Sequence, residues 1–80
     1  MPWFVYILKS EIDGDFYKGV TENLVVRLEQ HNTGQSKFTS SKMPWILVFS
    51  KEMNDKRSAL IEEKRIKKLN RASLERLIVS

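Results

Sequence analysis

An α+β fold, a three-stranded antiparallel sheet flanked by helices in the order β-β-α-β-α-α, is predicted by three features of the 80-residue sequence. Residues 3–8, Trp-Phe-Val-Tyr-Ile-Leu, are apolar on both parities and rich in aromatic and β-branched types, as in a central strand buried on both faces. Asp13-Gly14 marks a tight turn before a second β-rich segment, Phe-Tyr-Lys-Gly-Val-Thr at 16–21. The remaining chain carries helical periodicity with capping residues, interrupted by one apolar strand-like run from Trp45.

The hairpin register carries information. A four-residue loop at 11–14 sets Tyr6 opposite Gly19 and Leu8 opposite Tyr17, so the two tyrosines share a face as diagonal neighbours about 7 Å apart at the backbone. An odd loop would separate them.

Thr21 is expected to cap a first helix over 22–33, with Glu22 in its first turn and Gly34 ending it in the left-handed conformation. Leu24, Val25 and Leu28 form its apolar stripe, and Asn23, Arg27 and His31 a polar one. Residues 34–44 read as a loop whose hydroxyls and lysines suit phosphate contacts, with Phe38 exposed. Residues 45–50 read as the third strand. Asn54 or Asp55 caps a second helix running to about Leu69, and Asn70 breaks it before a short third helix with Leu74, Leu77 and Ile78 inward.

Composition narrows the function classes. No apolar run approaches the roughly 20 residues of a membrane span. The N-terminus lacks a basic region followed by an apolar stretch and a small-residue cleavage site, so no secretory signal is expected and cytoplasmic residence is the default. A chain with no Cys and one His has neither thiolate zinc sites nor a multi-histidine cluster. One domain over 1–80 is expected. The net charge is +4, and it is uneven: residues 1–50 hold five bases and five acids, whereas residues 51–80 hold nine bases and five acids. A basic half points to a polyanion such as nucleic acid, against the plainer reading of a solvated helix face.

Glu63 is the most informative residue. On a wheel of about 100° per residue, Ala59 lies about 40° to one side of it, Ile66 about 60° to the same side and Leu60 about 60° to the other. Glu62 falls about 100° away and Ile61 about 160° away, so Glu63 is centred in the apolar face. Burying a lone carboxylate costs several kcal/mol unless it is paired, protonated or bound to a cation. A salt bridge to Arg27 or a helix lysine is one solution. A carboxylate facing a cleft and holding Mg²⁺ or Mn²⁺ by one oxygen is the other.

Tyr6, Tyr17, Gly19, Thr21, Arg27, His31 and Glu63 thus collect as polar or special residues pointing away from the packing. Phosphodiester hydrolysis needs a nucleophile activator, a cation near the developing phosphorane charge and a metal assisting the leaving oxygen, and a Tyr, an Arg and a Glu-bound metal fill those roles. Their order and spacing resemble the GIY-YIG nuclease superfamily, specifically its small stand-alone bacterial members, over nearly the whole chain. The first motif matches Phe4-Val5-Tyr6 followed by Ile7-Leu8, and the second Tyr17-Lys18-Gly19 followed by Val20-Thr21. Asn23-Leu24, Arg27-Leu28, His31-Asn32 and Gly34 follow, and Ala59-Leu60, Glu63 and Ile66-Lys67-Lys68 match the metal-helix pattern. Phe4 stands where the first motif has glycine, and Lys18 where the second has isoleucine.

The resemblance implies a single divalent metal, Mg²⁺ or Mn²⁺, on Glu63 and a transition-state arginine at Arg27. It implies a tyrosine that helps activate water, assigned to Tyr6, with Tyr17 orienting water or phosphate. His31 would contact the nucleophile or scissile phosphate, and Gly19 and Thr21 are motif positions of structural use. DNA is the expected partner, with Lys37, Lys42, Lys64, Lys67, Lys68 and Arg71 as phosphate contacts. Structure-specific or nonspecific cleavage in DNA repair or processing is expected, with specificity supplied by a homodimer or a partner protein. The competing readings are a nucleic-acid-binding module with little or no catalysis, and a protein-interaction domain in which the charge serves solubility.

Overall fold

The computed structural model describes residues 2–35 and 37–80. Its elements are β1 (Trp3–Ser10), β2 (Phe16–Thr21), α1 (Leu24–Asn32), a 3-10 turn at Ser40–Lys42, β3 (Trp45–Met53), α2 (Lys56–Lys67) and α3 (Arg71–Val79). The sheet is antiparallel with strand order β2-β1-β3, the predicted α+β architecture.

β1 is central because its residues are apolar on both parities, and all four residues from Val5 to Leu8 are buried. Val5 and Ile7 pack with Ala59 and Ile66 of α2 and Leu74 of α3, while Leu77 and Ile78 close the same cluster. Tyr6, Leu8 and Trp45 pack on the opposite face, against Tyr17 and against Leu24 and Leu28 of α1. Each fully buried aliphatic side chain contributes roughly 1.5 to 3 kcal/mol, so the two sides of this one strand anchor both layers of helices.

The hairpin has the expected four-residue loop. Ser10 N donates to Asp15 O at 2.8 Å, Asp13 Oδ1 accepts from Asp15 N at 2.9 Å, and Gly14 adopts φ +78°. Tyr6 pairs with Gly19 and Leu8 with Tyr17, as the loop length requires.

Pairing of β1 with β3 slips between Ile7 and Leu8, which face Phe49 and Leu47 respectively. The bulged residue, Val48, breaks the alternation of β3. Trp45 and Leu47 therefore join the Tyr6 side while Val48 and Phe49 pack on the α2 side. β3 also runs to Met53, three residues past the expected end.

α1 corrects several expectations. It starts at Leu24, capped by Asn23, whose side chain accepts from Val26 N. Thr21 does not cap it. Still paired with Phe4 in β2, Thr21 accepts from Asn23 N at 3.1 Å through Oγ1 and so turns the chain into the cap. Val25 is 75% exposed and does not belong to the inward stripe. The face turned to the sheet is Leu24, Arg27, Leu28 and His31, spaced i, i+3, i+4, i+7, so the apolar and polar stripes are one face. Gly34 ends the segment with φ +80°, as expected.

Asp55 and Asn70 cap α2 and α3, each accepting a backbone N–H three residues on. Leu60 is 43% exposed, so the inward face of α2 is narrower than the wheel suggested and rests on Ala59 and Ile66. Among the described residues no helix is long and apolar enough to cross a membrane.

Candidate active site

Two strands, α1 and one loop residue build the site around Tyr6, while Glu63 comes from α2, whose core residues pack on the other face of β1. The hairpin register places Tyr6 and Tyr17 on one face of the sheet, with ring centroids 6.3 Å apart. Gly19, directly opposite Tyr6, leaves room for the phenol: a Cβ there would lie 2.6 Å from the Tyr6 hydroxyl and 2.7 Å from Cζ. The tyrosine ring covers the glycine backbone.

α1 brings its two polar inward residues over that ring, one turn apart. Arg27 Nε donates to the Tyr6 hydroxyl at 3.3 Å, and Arg27 Nη1 donates to Gln30 Oε1 at 3.0 Å. The Tyr6 hydroxyl lies 3.1 Å from His31 Nε2, and His31 Nδ1 lies 2.8 Å from Thr39 Oγ1. The His31 ring packs on Tyr17, with centroids 4.7 Å apart, and Tyr17 meets the edge of Trp45 at 6.2 Å. His31 is fully buried, not a surface residue closing the helix.

Burial sets the protonation of this chain. His31 is lowered to about 4 by desolvation and then by the charge of Arg27, so it is neutral at pH 7. Tyr6 is raised chiefly by burial, although the Arg27 hydrogen bond works the other way. Burial works against the charge of Arg27, but its contacts with Tyr6 and Tyr17 raise it overall. With His31 neutral, either the phenol donates to Nε2 while Nδ1–H donates to Thr39, or both bonds reverse. The chain Thr39–His31–Tyr6 can therefore hold a proton at either end.

Thr39 escaped the sequence reading, because nothing distinguishes it within a run of hydroxyls. It is buried at 1% exposure, and its carbonyl accepts from Trp45 Nε1 at 2.9 Å. Asn32 fixes the start of β3 with both amide atoms, donating to Trp45 O at 2.9 Å and accepting from Trp45 N at 2.6 Å.

Glu63 lies on α2 with its side chain 15% exposed, and its charge raises Tyr6 further. It is not a lone carboxylate: Lys67 Nζ lies 3.5 Å away, one turn on. Nor is it distinguished from its neighbour by burial. Glu62, expected to turn aside, is 13% exposed, is held at about 2 chiefly by hydrogen bonds from Arg65, and also pairs with Lys51. The difference between them is in their partners, since Glu62 pairs with two cations and Glu63 with one exposed lysine. Among the described residues no group of three or more acidic or imidazole side chains gathers. A single carboxylate suits Mg²⁺, which takes one or two from the protein and completes its shell with water and substrate phosphate.

The basic residues divide. Lys37, Lys64 and Lys68 are exposed. Lys42 pairs with Asp13 at 3.0 Å and with Asp15, and Lys67 with Glu63. Arg71 bonds Glu75 and Gly14 O and lies over the Phe16 ring at 4.9 Å, so it ties α3 to the hairpin.

Comparison with known proteins gives a consistent picture. The family model described as GIY-YIG catalytic domain matches residues 2–76. The UPF0213 protein YhbQ of Escherichia coli K12 is 36% identical over 78 residues, spanning 96% of this chain and 77% of YhbQ. Its counterpart in Shigella boydii serotype 18 is 35% identical over the same lengths. The solution structure of a UPF0213 protein from Bacillus halodurans superposes with a TM-score of 0.63 at 32% identity, covering 99% of this chain and 84% of that one.

Proposed function

We propose, from the premise that this chain belongs to the GIY-YIG family, that it is a divalent-metal-dependent nuclease hydrolysing phosphodiester bonds of DNA. The observation that carries this reading is the convergence on one phenol: Arg27 Nε at 3.3 Å and His31 Nε2 at 3.1 Å from the Tyr6 hydroxyl. A folding-only core has no need to bring a cation and a neutral imidazole to one buried tyrosine.

In this mechanism Tyr6 takes a proton from the attacking water as its own passes to His31 Nε2. The substrate phosphate supports that transfer, because its negative charge offsets the Arg27 repulsion that helps keep His31 neutral. Tyr17, half-buried where Tyr6 is 2% exposed, orients the water or phosphate from the open side. Arg27 faces the phosphorane charge as it develops. Glu63 would hold the metal, which when bound stabilises the charge on the leaving oxygen. DNA repair or processing is the proposed context, with structure-specific or nonspecific cleavage, because contacts to phosphate position a protein on DNA without reading its base sequence.

One observation favours the binding-module alternative: Lys67 occupies the carboxylate that a metal would need. Incubation with linear, nicked, flapped and branched DNA and with RNA, in Mg²⁺ or Mn²⁺, decides between them. The nuclease reading expects cleavage by the wild type and a loss of about 10²- to 10³-fold in Arg27→Ala with the fold retained. Unchanged turnover in that variant would return Arg27 to a purely structural role.

A further inference from the structure

Phe38 is 89% exposed, yet it is held on a fixed segment. The next residue, Thr39, is buried between His31 Nδ1 and the Trp45 indole. The turn beyond it is fastened by Ser10 Oγ donating to Lys42 O at 2.7 Å, and Ser40 Oγ donates to Lys37 O at 3.2 Å. An apolar ring of this size in water is costly and contributes nothing to either core cluster. Its chain neighbours Lys37, Thr39, Ser40, Ser41 and Lys42 are polar, so the ring is not part of a continuous apolar strip. A lone ring beside an exposed lysine, one residue from the hydrogen-bond chain of Tyr6, has the composition of a base-stacking platform with a phosphate contact.

We propose that Phe38 stacks on an unpaired nucleobase and thereby directs the site to single-stranded or distorted DNA. An intact duplex offers the ring no face, because each base is already stacked on its neighbours. A flap, bulge or melted end presents one. The rigid link from Thr39 to His31 then fixes the stacked nucleotide relative to Tyr6, so the ring selects which phosphate is presented. The inference rests on DNA being the ligand of this site, and not on its cleavage.

The test measures binding in EDTA, by fluorescence anisotropy, of a labelled oligothymidine and of an abasic strand of equal length, which keeps the phosphates and lacks the bases. The wild type is expected to prefer the base-bearing strand by about 5- to 150-fold. Phe38→Ala should bring the two affinities together with an unchanged melting temperature, and Phe38→Trp should restore the preference. A wild type that does not distinguish the strands, or binds neither, overturns the proposal, as does a preference that survives Phe38→Ala. Loss of self-association in Phe38→Ala with the base preference unaltered would make the ring a protein contact instead. Base preference without any cleavage would uphold the stacking site while sinking the nuclease reading, and cleavage without base preference would do the reverse.

Discussion

Gly19 lies directly across the β1–β2 ladder from Tyr6, and any Cβ at position 19 would fall 2.6 Å from the phenol oxygen. The ring is held by Arg27 and His31 and is only 2% exposed, so it cannot swing away cheaply. Gly19→Ala should therefore displace Tyr6, costing about 1 to 3 kcal/mol of stability and, on the nuclease reading, most of the activity. Denaturant melts and a cleavage assay check this. A variant as stable and active as the wild type would show that the ring is free to move.

His31 makes stability depend on pH with a definite sign. Its folded value of about 4 lies below the usual 6.5, so between these values the unfolded chain binds the extra proton and stability falls as the solution is acidified. Glu62, Asp13 and Asp55 are lowered from ordinary carboxylate values, so their loss of stability begins at more acid pH. Between pH 6.5 and 4.5 the wild type should lose about 2 to 3 kcal/mol, and His31→Gln much less. Urea melts across that window give the slope, and a flat wild-type profile would contradict a neutral buried imidazole.

The adjacent acids of α2 should respond oppositely to amidation. Glu63→Gln breaks one partly exposed pair with Lys67, which is worth under about 0.5 kcal/mol, while metal-dependent cleavage should vanish. Glu62→Gln breaks ion pairs with Lys51 and Arg65 and should cost on the order of 1 to 2 kcal/mol, with cleavage retained. Melts in EDTA beside assays in Mg²⁺ separate the two. A drop of several kcal/mol in Glu63→Gln would make that residue a structural ion-pair partner and remove the metal assignment.

Salt dependence should sort the basic residues. Lys64→Ala and Lys68→Ala, both at exposed positions, should each lower the slope of log affinity against log salt by about 1. Lys42→Ala should leave the slope nearly unchanged and loosen the hairpin loop, because its ammonium is already held by Asp13 and Asp15. Anisotropy titrations between low and moderate salt supply the slopes. Equal effects at all three positions would mean that DNA displaces the Lys42 ion pairs.

The sequence by itself determined the sheet and the order of its elements, and it tied the pairing of Tyr6 with Gly19 to a four-residue hairpin loop, which the structure has. These follow from short-range rules: apolar residues on both parities make a central strand, and a four-residue loop fixes the hairpin register. It also placed Arg27 and His31 one turn apart on one helix. What only the tertiary structure decided is where these surfaces turn. Polarity alone split α1 into two stripes, yet docking on the sheet turns Arg27 inward and buries His31 beside Leu24 and Leu28, because Tyr6 supplies polar partners that the wheel cannot see. The bulge at Val48 moves Phe49 to the other face, and it depends on how β3 meets β1, not on its own alternation. Thr39 acquires its role only when the loop folds back on His31. Glu62 and Glu63, unequal on the wheel, become equally shielded once Lys51 of a distant strand reaches Glu62. Contacts between segments far apart in the chain carry no local periodicity, and so they become visible only when the fold brings the segments together.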